Sequence, residues 1–166
     1  LFVFSVIFIW TMLIYQFVLT LGGVLWRRAW GREDRRTPGP ADWPGVSILV
    51  PARNEEKVIA GLLDHLLHLD YPRDRLEIII IDDGSTDGTA SLVRGFQQGD
   101  PRVRLLSIPR EEGGRGKSAV LNRGLTLAGQ PLVAVYDADN RPEPGSLKIL
   151  CRALVADHRL AAVTAG

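Results

Sequence analysis

The sequence predicts an α/β sandwich of Rossmann-like type, in which helices cover both faces of a parallel sheet. Four apolar runs begin near residues 46, 76, 103 and 132, and each is continuous rather than alternating. Continuous apolar runs of this length are typical of strands that are buried on both faces. Segments with the apolar spacing of helices separate the runs, and an alternation of strand and helix favours a parallel sheet.

The bounds of each element follow from these two patterns, continuous apolar runs for strands and helical apolar spacing for helices. The predicted strands cover residues 46–50, 76–81, 103–108 and 132–136, with a weaker fifth candidate at 160–164. The predicted helices cover residues 58–67, 90–96, 118–127 and 147–155. The single cysteine, Cys151, falls in the last helical pattern and excludes a disulfide framework, so we expect it to pack in the core.

Residues 1–26 contain no charged side chain. A helix of this length spans roughly 39 Å, which exceeds the roughly 30 Å of a bilayer's hydrocarbon core. A signal peptide would have a basic start and a small-x-small cleavage site, and a buried core helix would be shorter and carry a polar stripe. The sequence therefore predicts a transmembrane helix over residues 1–26. Because the chain begins with Leu1 and stops at Gly166 after an apolar run, we expect a fragment of a longer protein.

A basic segment and a linker are predicted over residues 27–45. Its first part holds five arginines against Glu33 and Asp34, and Trp26 and Trp30 are spaced to lie at the headgroup level. The arginines are Arg27, Arg28, Arg32, Arg35 and Arg36. Basic residues flank the cytoplasmic side of membrane helices, so the sequence predicts an inner or plasma membrane protein whose remaining chain is cytoplasmic. Proline and glycine over 37–45 indicate a linker.

The bulk charge of the chain narrows the class of partner. The formal net charge is +1, so the chain lacks the strong basic field of nucleic-acid-binding proteins. We therefore expect no nucleic-acid partner. The length of 166 residues allows one domain of ordinary size beside the membrane helix.

Asp137 and Asp139 end the fourth apolar run. Side chains alternate along a strand, so we expect both carboxylates to point to the same side. Two adjacent carboxylates at the carboxyl end of a parallel strand repel each other unless a cation lies between them and a ligand. The sequence thus predicts a Mg²⁺ or Mn²⁺ site that faces a phosphate. The alternative is that the residues only begin a solvated turn.

The first two strands also end in polar residues. The first is followed by Pro51, Arg53, Asn54, Glu55 and Glu56. Helix capping, with Asn54 as the cap and the two glutamates in the first turn, explains the last three as well as ligand binding does. The second ends in Asp82 and Asp83 before a glycine turn. A turn with a cap explains residues 85–88 but not two adjacent aspartates, so we expect one of the pair to accept hydrogen bonds from a ligand.

A glycine-rich segment, residues 111–118, invites comparison with a phosphate-binding P-loop. The first glycine of that motif is missing, because its position is occupied by Glu111. Lys117 can still reach a pyrophosphate, although a solvated lysine is an equal alternative. A phosphatase with an aspartate nucleophile is also disfavoured, because Arg141 stands where its Asp-x-Asp-x-Thr/Val signature needs Thr or Val.

Four motifs in order resemble the family-2 glycosyltransferases with the GT-A fold. They are Val-Pro-Ala-Arg-Asn-Glu at 50–55, Asp-Asp-Gly-Ser-Thr-Asp at 82–87, Gly-Lys-Ser-Ala-Val-Leu-Asn at 116–122 and Asp-Ala-Asp at 137–139. The resemblance covers residues 46–166, about the first half of such a catalytic domain. With the apolar helix before it, the chain is most similar to the membrane-embedded branch that includes cellulose, hyaluronan and poly-N-acetylglucosamine synthases.

The resemblance implies a role for each motif. Residues 51–55 and the Asp82-Asp83 pair would hold the uridine of a UDP-sugar donor, with a carboxylate that reads the uracil. Lys117 would approach the donor's diphosphate. Asp137 would lie near the ribose and the metal, and Asp139 would ligate the Mg²⁺ or Mn²⁺ that bridges the two phosphates. The leaving group is then a nucleoside diphosphate whose developing charge a divalent cation stabilises.

The implied activity is metal-dependent, inverting sugar transfer to a growing polysaccharide or other glycan, as in cell wall biogenesis. Transfer to a polyprenyl phosphate lipid and a non-catalytic nucleotide-binding membrane scaffold are the alternatives. Such enzymes take their general base from a later acidic motif, and processive ones carry a Gln-x-x-Arg-Trp after it. All four tryptophans precede Asp139. We therefore assign no catalytic base within the chain and expect one downstream of Gly166.

Overall fold

The computed structural model describes residues 2–36, 40, 42–156, 160 and 162–164. Within the first helix, side chains are described for residue 4 and residues 6–25. The chain divides into two compact units, Leu1–Gly39 and Pro40–Gly166.

The first unit is a single helix, α1 (Phe2–Arg36). Its stretch Val6–Leu25 is long and apolar enough to cross a membrane, and none of it is buried within the protein. The hydroxyl groups of Thr11 and Thr20 donate to backbone carbonyls one turn earlier, each at 2.8 Å, so the helix satisfies these polar groups itself. The helix continues past the predicted span into the basic segment. The side chains of the two tryptophans and five arginines at its end lie outside the described side chains.

The second unit alternates strands and helices along its whole length. Its strands are β1 (Val46–Ala52), β2 (Leu76–Asp83), β3 (Val103–Ile108) and β4 (Leu132–Val135), and its helices are α2 (Ile59–Leu67), α3 (Thr89–Gly99), α4 (Lys117–Leu125) and α5 (Ser146–Ala156). A short 3₁₀ turn, Arg73–Arg75, precedes β2.

The four strands form one parallel sheet in the order β3-β2-β1-β4. The chain moves outward from β1 to β2 and β3, then returns to place β4 on the other side of β1. The gap between the carboxyl ends of β1 and β4 is therefore the switch point of the sheet, where open α/β sheets bind their ligands. The predicted fold class is confirmed.

Helices cover both faces of this sheet. On one face, Ile48 and Ile80 belong to a core with residues of α2, α3 and α5, while on the other Leu49 and Ile81 pack in a core with Val120 of α4. Consecutive strand residues point to opposite faces, so both faces of β1 and β2 are fully buried. Burying each such side chain contributes about 1.5–3 kcal/mol.

The strand ends differ from the sequence prediction. β1 and β2 continue two residues further than predicted, because Pro51 and Ala52 stay in register with Ile81 and Asp82 of the neighbouring strand. β4 ends one residue earlier than predicted, at Val135. The predicted fifth strand is wrong at its described positions, since residues 160 and 162–164 form no strand. Cys151 is buried in α5 as expected.

The end of the predicted linker is packed on the second unit. Trp43 makes an edge contact with Tyr71, with 5.7 Å between ring centroids, and the Tyr71 hydroxyl donates to the carbonyl of Pro44 at 2.6 Å. Asp42 pairs with Arg75 at 3.3 Å. Proline and glycine exclude a regular element here, but they do not prevent the side chains between them from packing.

Candidate functional site

A cavity of about 390 Å³ lies at the carboxyl ends of β1 and β2, beside the start of α4 and the residues that follow β4. Its position is the one that the switch point of the sheet predicts. The lining residues are Pro51, Ala52, Arg53, Glu55, Asp83, Gly114, Gly116, Lys117, Val120, Asp137 and Ala138. Pro51, Arg53, Glu55, Asp83, Lys117 and Asp137 were all predicted as site residues from the sequence.

Asp83 is the last residue of β2 and its side chain is the most enclosed charged group of the cavity wall. Both of its carboxylate oxygens lie 3.0 Å from the backbone N–H of Gly114, which donates to them. The guanidinium of Arg53 lies 3.4 Å from Oδ2, and the Asp83 side chain is only 11% exposed. These partners offset the cost of removing a carboxylate from water.

The glycine-rich loop before α4 can approach Asp83 only because Gly113 and Gly114 have no side chains. A Cβ at Gly113 would lie 2.9 Å from the Asp83 carbonyl oxygen. Gly114 has a φ of +74°, and a Cβ there would lie 2.7 Å from the Arg53 guanidinium. Glu112 ties the same loop to α4 through Arg123 at 2.7 Å. The segment that resembles a P-loop in sequence is thus a wall of the cavity.

Lys117 is the first residue of α4 and forms an ion pair with Asp137 across the cavity. Its side chain is 54% exposed and that of Asp137 is 56% exposed, so both groups remain in contact with solvent. The N-terminal end of α4 carries partial positive charge and free N–H groups, which favour anions. The lysine and the helix end together make this side of the cavity suited to a phosphate.

Asp137 and Asp139 are arranged differently from the prediction. β4 ends at Val135, and the residues after it enter a turn in which the N–H of Asn140 donates to the carbonyl of Asp137 at 3.1 Å. The strand ends before both aspartates, so the expectation that strand alternation orients their side chains was wrong. Asp137 lines the cavity, whereas Asp139 is exposed and is absent from its described lining.

The two carboxylates still fit a hard divalent cation. Over the part of the chain that the structure describes, no group of three or more His, Cys, Asp or Glu side chains could hold a metal. Mg²⁺ and Mn²⁺ do not require such a cage, because Mg²⁺ in phosphate-handling sites is bound through one or two carboxylates together with water and substrate phosphates. Asp137 and Asp139 are both exposed oxygen donors of that kind, and Asp137 lines the cavity beside Lys117.

Asn54 does not cap α2, so of the two explanations offered for it, helix capping is wrong. The helix begins at Ile59, and Asn54 instead adopts a left-handed conformation with a φ of 57°. Its side-chain oxygen accepts from the N–H of Thr86 at 2.8 Å, and its own N–H donates to the Ser85 hydroxyl at 2.9 Å. Asn54 therefore joins the β1–α2 loop to the β2–α3 loop.

Glu55 and Glu56 continue this connection. The N–H of Glu55 donates to the Thr89 hydroxyl at 2.9 Å, while the Glu56 carboxylate accepts from the N–H of Gly88 at 3.0 Å. The Thr89 hydroxyl in turn donates to Asp87 at 2.6 Å, and this hydrogen bond lowers the pKa of the Asp87 carboxyl. We call residues 54–56 and 85–89 the loop clasp. It holds the Glu55 side of the cavity in place.

Asp82 is not among the described residues that line the cavity. It is buried, and its carboxylate accepts from the N–H of Ser85 at 3.1 Å. Of the predicted aspartate pair, only Asp83 faces the cavity. The sequence prediction did not assign Gly114, Gly116, Val120 or Ala138 to the site, and glycine spacing was a signal for the two glycines only.

The sheet order, the switch-point cavity and its phosphate-suited wall define the second unit as a Rossmann-like α/β domain of the nucleotide-binding class. The profile of the family described as "Glycosyl transferase family 2" matches residues 47–165, which is well over half of the chain. The chain therefore belongs to glycosyltransferase family 2.

Curated relatives agree with this family. The chain is 36% identical over 167 residues to "Probable glycosyltransferase YdaM" of Bacillus subtilis, covering 98% of the chain and 39% of that protein. It is 30% identical over 148 residues to "Putative cellulose synthase 2" of Komagataeibacter xylinus, covering 87% of the chain and 9% of that protein. The chain thus spans well under half the length of these relatives.

Solved structures match the fold. The mannosyltransferase PcManGT from Pyrobaculum calidifontis, in complex with GDP-Man and Mn²⁺, superposes with a TM-score of 0.63 at 33% identity, over 81% of this chain and 40% of that one. TarS of S. aureus, residues 1–349 in complex with UDP-GlcNAc, superposes with a TM-score of 0.60 at 28% identity, over 69% of this chain and 32% of that one. The GT-A, nucleotide-sugar-binding fold predicted from the sequence is confirmed.

Proposed function

We propose that this chain provides the donor-binding part of a membrane-anchored, inverting glycosyltransferase that depends on a divalent metal. The donor is a nucleotide-sugar, in our proposal a UDP-sugar, and the acceptor is a polysaccharide or another glycan. The observation that carries the proposal is the convergence of Asp83, Lys117 and Asp137 on one cavity at the switch point of a family-2 fold.

The nucleoside is proposed to bind between Pro51, Arg53, Glu55 and Asp83. Asp83 already accepts from a backbone N–H, and an oxygen of the same carboxylate can accept from an N–H of a pyrimidine or purine base. Asn54 and Asp82 were predicted as donor-binding residues from the sequence. Because their side chains bind the loop after β2, we now propose that they hold the binding residues in place.

The identity of the base is the open part of this proposal. The PcManGT complex contains GDP-Man, whereas the TarS complex contains UDP-GlcNAc. Both bases carry ring N–H groups that a carboxylate can bind, so Asp83 alone does not select between them. Uridine remains our first choice, as the sequence motifs imply, and guanosine is the alternative.

Asp137 and Asp139 are the residues that we propose for Mg²⁺ or Mn²⁺, and the PcManGT complex contains Mn²⁺. When bound, the cation would supply charge stabilisation for the departing nucleoside diphosphate. Lys117 would bind the same diphosphate next to the N-terminal end of α4. Both contributions favour the diphosphate as leaving group.

Membrane anchoring through α1 is supported by its exposed apolar stretch, Val6–Leu25. The arginines after this stretch favour a cytoplasmic location for the second unit in the plasma or inner membrane, by the positive-inside rule. A lipid acceptor such as a polyprenyl phosphate is the second candidate, and a nucleotide-binding scaffold without turnover is the third. Transfer to a polysaccharide, the first candidate, implies a role in polysaccharide or cell wall biosynthesis.

Calorimetric titration tests the donor site directly. UDP and GDP are titrated separately into the detergent-solubilised chain, with Mn²⁺ and with EDTA. We expect UDP to bind only with Mn²⁺, and Asp139→Ala to abolish that dependence. Asp74→Ala is the matched control, because Asp74 is an exposed aspartate in the turn before β2 that is not part of the cavity wall. Absence of nucleotide binding by the folded wild-type chain would refute the proposal, and metal-dependent GDP binding alone would change the base.

A further inference from the structure

The Lys117–Asp137 ion pair creates a conflict within the proposed donor site. The Lys117 ammonium donates to Oδ1 of Asp137, and both side chains line the cavity. The proposed function requires the same carboxylate for a cation and the same ammonium for a diphosphate. In the chain as described, these two groups bind each other.

Each ligand alone therefore meets a site that is partly neutralised. A divalent cation at Asp137 would be repelled by the ammonium beside it. A diphosphate at Lys117 would be repelled by the carboxylate that the lysine contacts, and by Asp139 two residues away. Both side chains are more than half exposed, so they can separate without disturbing the core.

We infer that the Lys117–Asp137 pair couples cation binding to diphosphate binding and makes the site selective for the two ligands together. This inference rests on the proposed function. Binding of the diphosphate draws Lys117 away and releases Asp137 for the cation, and binding of the cation releases Lys117 in the same way. Because coupling between two ligands is reciprocal, each raises the affinity of the other by the same factor.

The inference makes an unusual prediction for Lys117→Gln. A variant that lacks a proposed diphosphate ligand should bind Mn²⁺ alone more tightly than the wild type, because Asp137 has lost its competing partner. Half-exposed ion pairs of this kind change affinities by about two- to fivefold, which sets the size of the expected gain. The factor by which Mn²⁺ raises UDP affinity should fall in the same variant.

Two matched controls separate this effect from a general change in charge. Arg115 lies two residues before Lys117 and forms no ion pair within the described part of the chain. Arg115→Gln therefore removes an equal charge and leaves the Lys117–Asp137 pair intact. Asp137→Asn should raise UDP affinity in EDTA, because it frees Lys117. Asp139→Asn is its control, since Asp139 has no contact with the lysine among the described contacts.

The test is titration of MnCl₂ alone, UDP alone and UDP with MnCl₂ into the wild-type chain and these four variants, after circular dichroism has confirmed their folding. The inference predicts tighter Mn²⁺ binding in Lys117→Gln than in Arg115→Gln, and tighter metal-free UDP binding in Asp137→Asn than in Asp139→Asn. If Lys117→Gln and Arg115→Gln bind Mn²⁺ equally well while the wild type still binds UDP in a Mn²⁺-dependent way, the coupling is overturned and the proposed function stands. A wild-type chain that binds no nucleotide would overturn the proposed function as well. If Lys117→Gln does not fold, the coupling is tested by comparing metal-free UDP affinity in Asp137→Asn and Asp139→Asn, and equal affinities would overturn it.

Discussion

The backbone N–H of Gly114 lies 3.0 Å from each carboxylate oxygen of Asp83. This contact joins the end of β2 to the loop before α4, and it fixes the wall of the cavity that Lys117 continues. Asp83 and Gly114 are 31 residues apart. The cavity therefore exists only when the strand order of the sheet has formed.

Asp83→Asn is expected to weaken UDP binding at least about tenfold, because hydrogen bonds to a charged group contribute about 1.5–3 kcal/mol. Asp82→Asn is the matched control, since its carboxylate binds Ser85 rather than lining the cavity. It should change the UDP dissociation constant by less than about threefold, because an amide oxygen can still accept that hydrogen bond. The measurement is calorimetric titration of both variants in Mn²⁺. Equal losses of UDP affinity in the two variants would contradict the assignment of Asp83, rather than Asp82, to the nucleotide site.

Gly124→Ala is expected to destabilise the second unit by about 1–3 kcal/mol, the usual cost of overpacking a core. A Cβ at Gly124 would lie 2.3 Å from Cδ1 of Ile81, which is fully buried, so either Ile81 would have to repack within the core or α4 would have to move away from the sheet. Gly61→Ala in α2 is the control, because a Cβ there meets nothing within 4 Å. The control should be neutral or stabilising by up to about 1 kcal/mol. Urea unfolding of both variants gives the free energies, and a neutral Gly124→Ala would contradict the packing of α4.

Substitutions of Asn54 test the loop clasp. Asn54→Ala should destabilise the chain by about 1–3 kcal/mol, since it loses two hydrogen bonds to Thr86 and places in the left-handed region an alanine, which tolerates that conformation less well than asparagine. Asn54→Gly loses the same hydrogen bonds without the backbone strain, so it should be the milder variant. Thermal unfolding distinguishes them. If Asn54 acted only as a donor ligand, neither variant would change the unfolding temperature.

Glu77 is expected to make stability depend on acid pH. Burial alone would raise its pKa, but hydrogen bonds from Ser47, the N–H of Gly129 and Arg104 outweigh burial and lower it. The side chain is 14% exposed and lies 2.5 Å from the Ser47 hydroxyl. A carboxyl whose folded pKa is lowered contributes stability above its unfolded pKa of about 4.3, and loses it as pH falls toward the folded value.

Chemical unfolding between pH 6 and pH 3 measures this contribution. Glu77→Gln should lower the stability at pH 6 and flatten the loss of stability below about pH 4.3. Glu143→Gln serves as the control, because Glu143 is exposed and its side chain has no ion pair among the described residues. If stability fell as steeply below about pH 4.3 in Glu77→Gln as in the wild type, the pH dependence would come from groups other than Glu77.

The order of strands and helices in the second unit could be predicted because each element carries its own apolar period. Val46 to Val50 and Leu76 to Ile81 need no knowledge of their neighbours to be identified as buried strands. Their true ends could not be predicted, because Pro51 and Asp82 stay in the sheet through register with the adjacent strand.

Contacts that span long sequence separations were also beyond prediction. Asn54 is a residue type that often caps helices, but it forms hydrogen bonds with Ser85 and Thr86, more than thirty residues away, instead. Trp43 lies in a segment with the composition of a linker, and Tyr71 and Lys148 pack on its ring. Motif order identified the cavity residues, while the division of roles between Asp82 and Asp83 required the folded geometry.

Hydrogen–deuterium exchange with and without UDP and Mn²⁺ tests the central claim, that the switch-point cavity is the nucleotide site. The account predicts slower exchange in peptides that contain Arg53 to Glu55, Asp83, Gly114 to Val120 and Asp137 to Asp139, with little change elsewhere. The chain offers an internal comparison, because a second, apolar groove lies between α2 and α3 at Leu67, Leu92 and Phe96. Protection of that groove, with unchanged exchange around Asp83 and Lys117, would contradict the account.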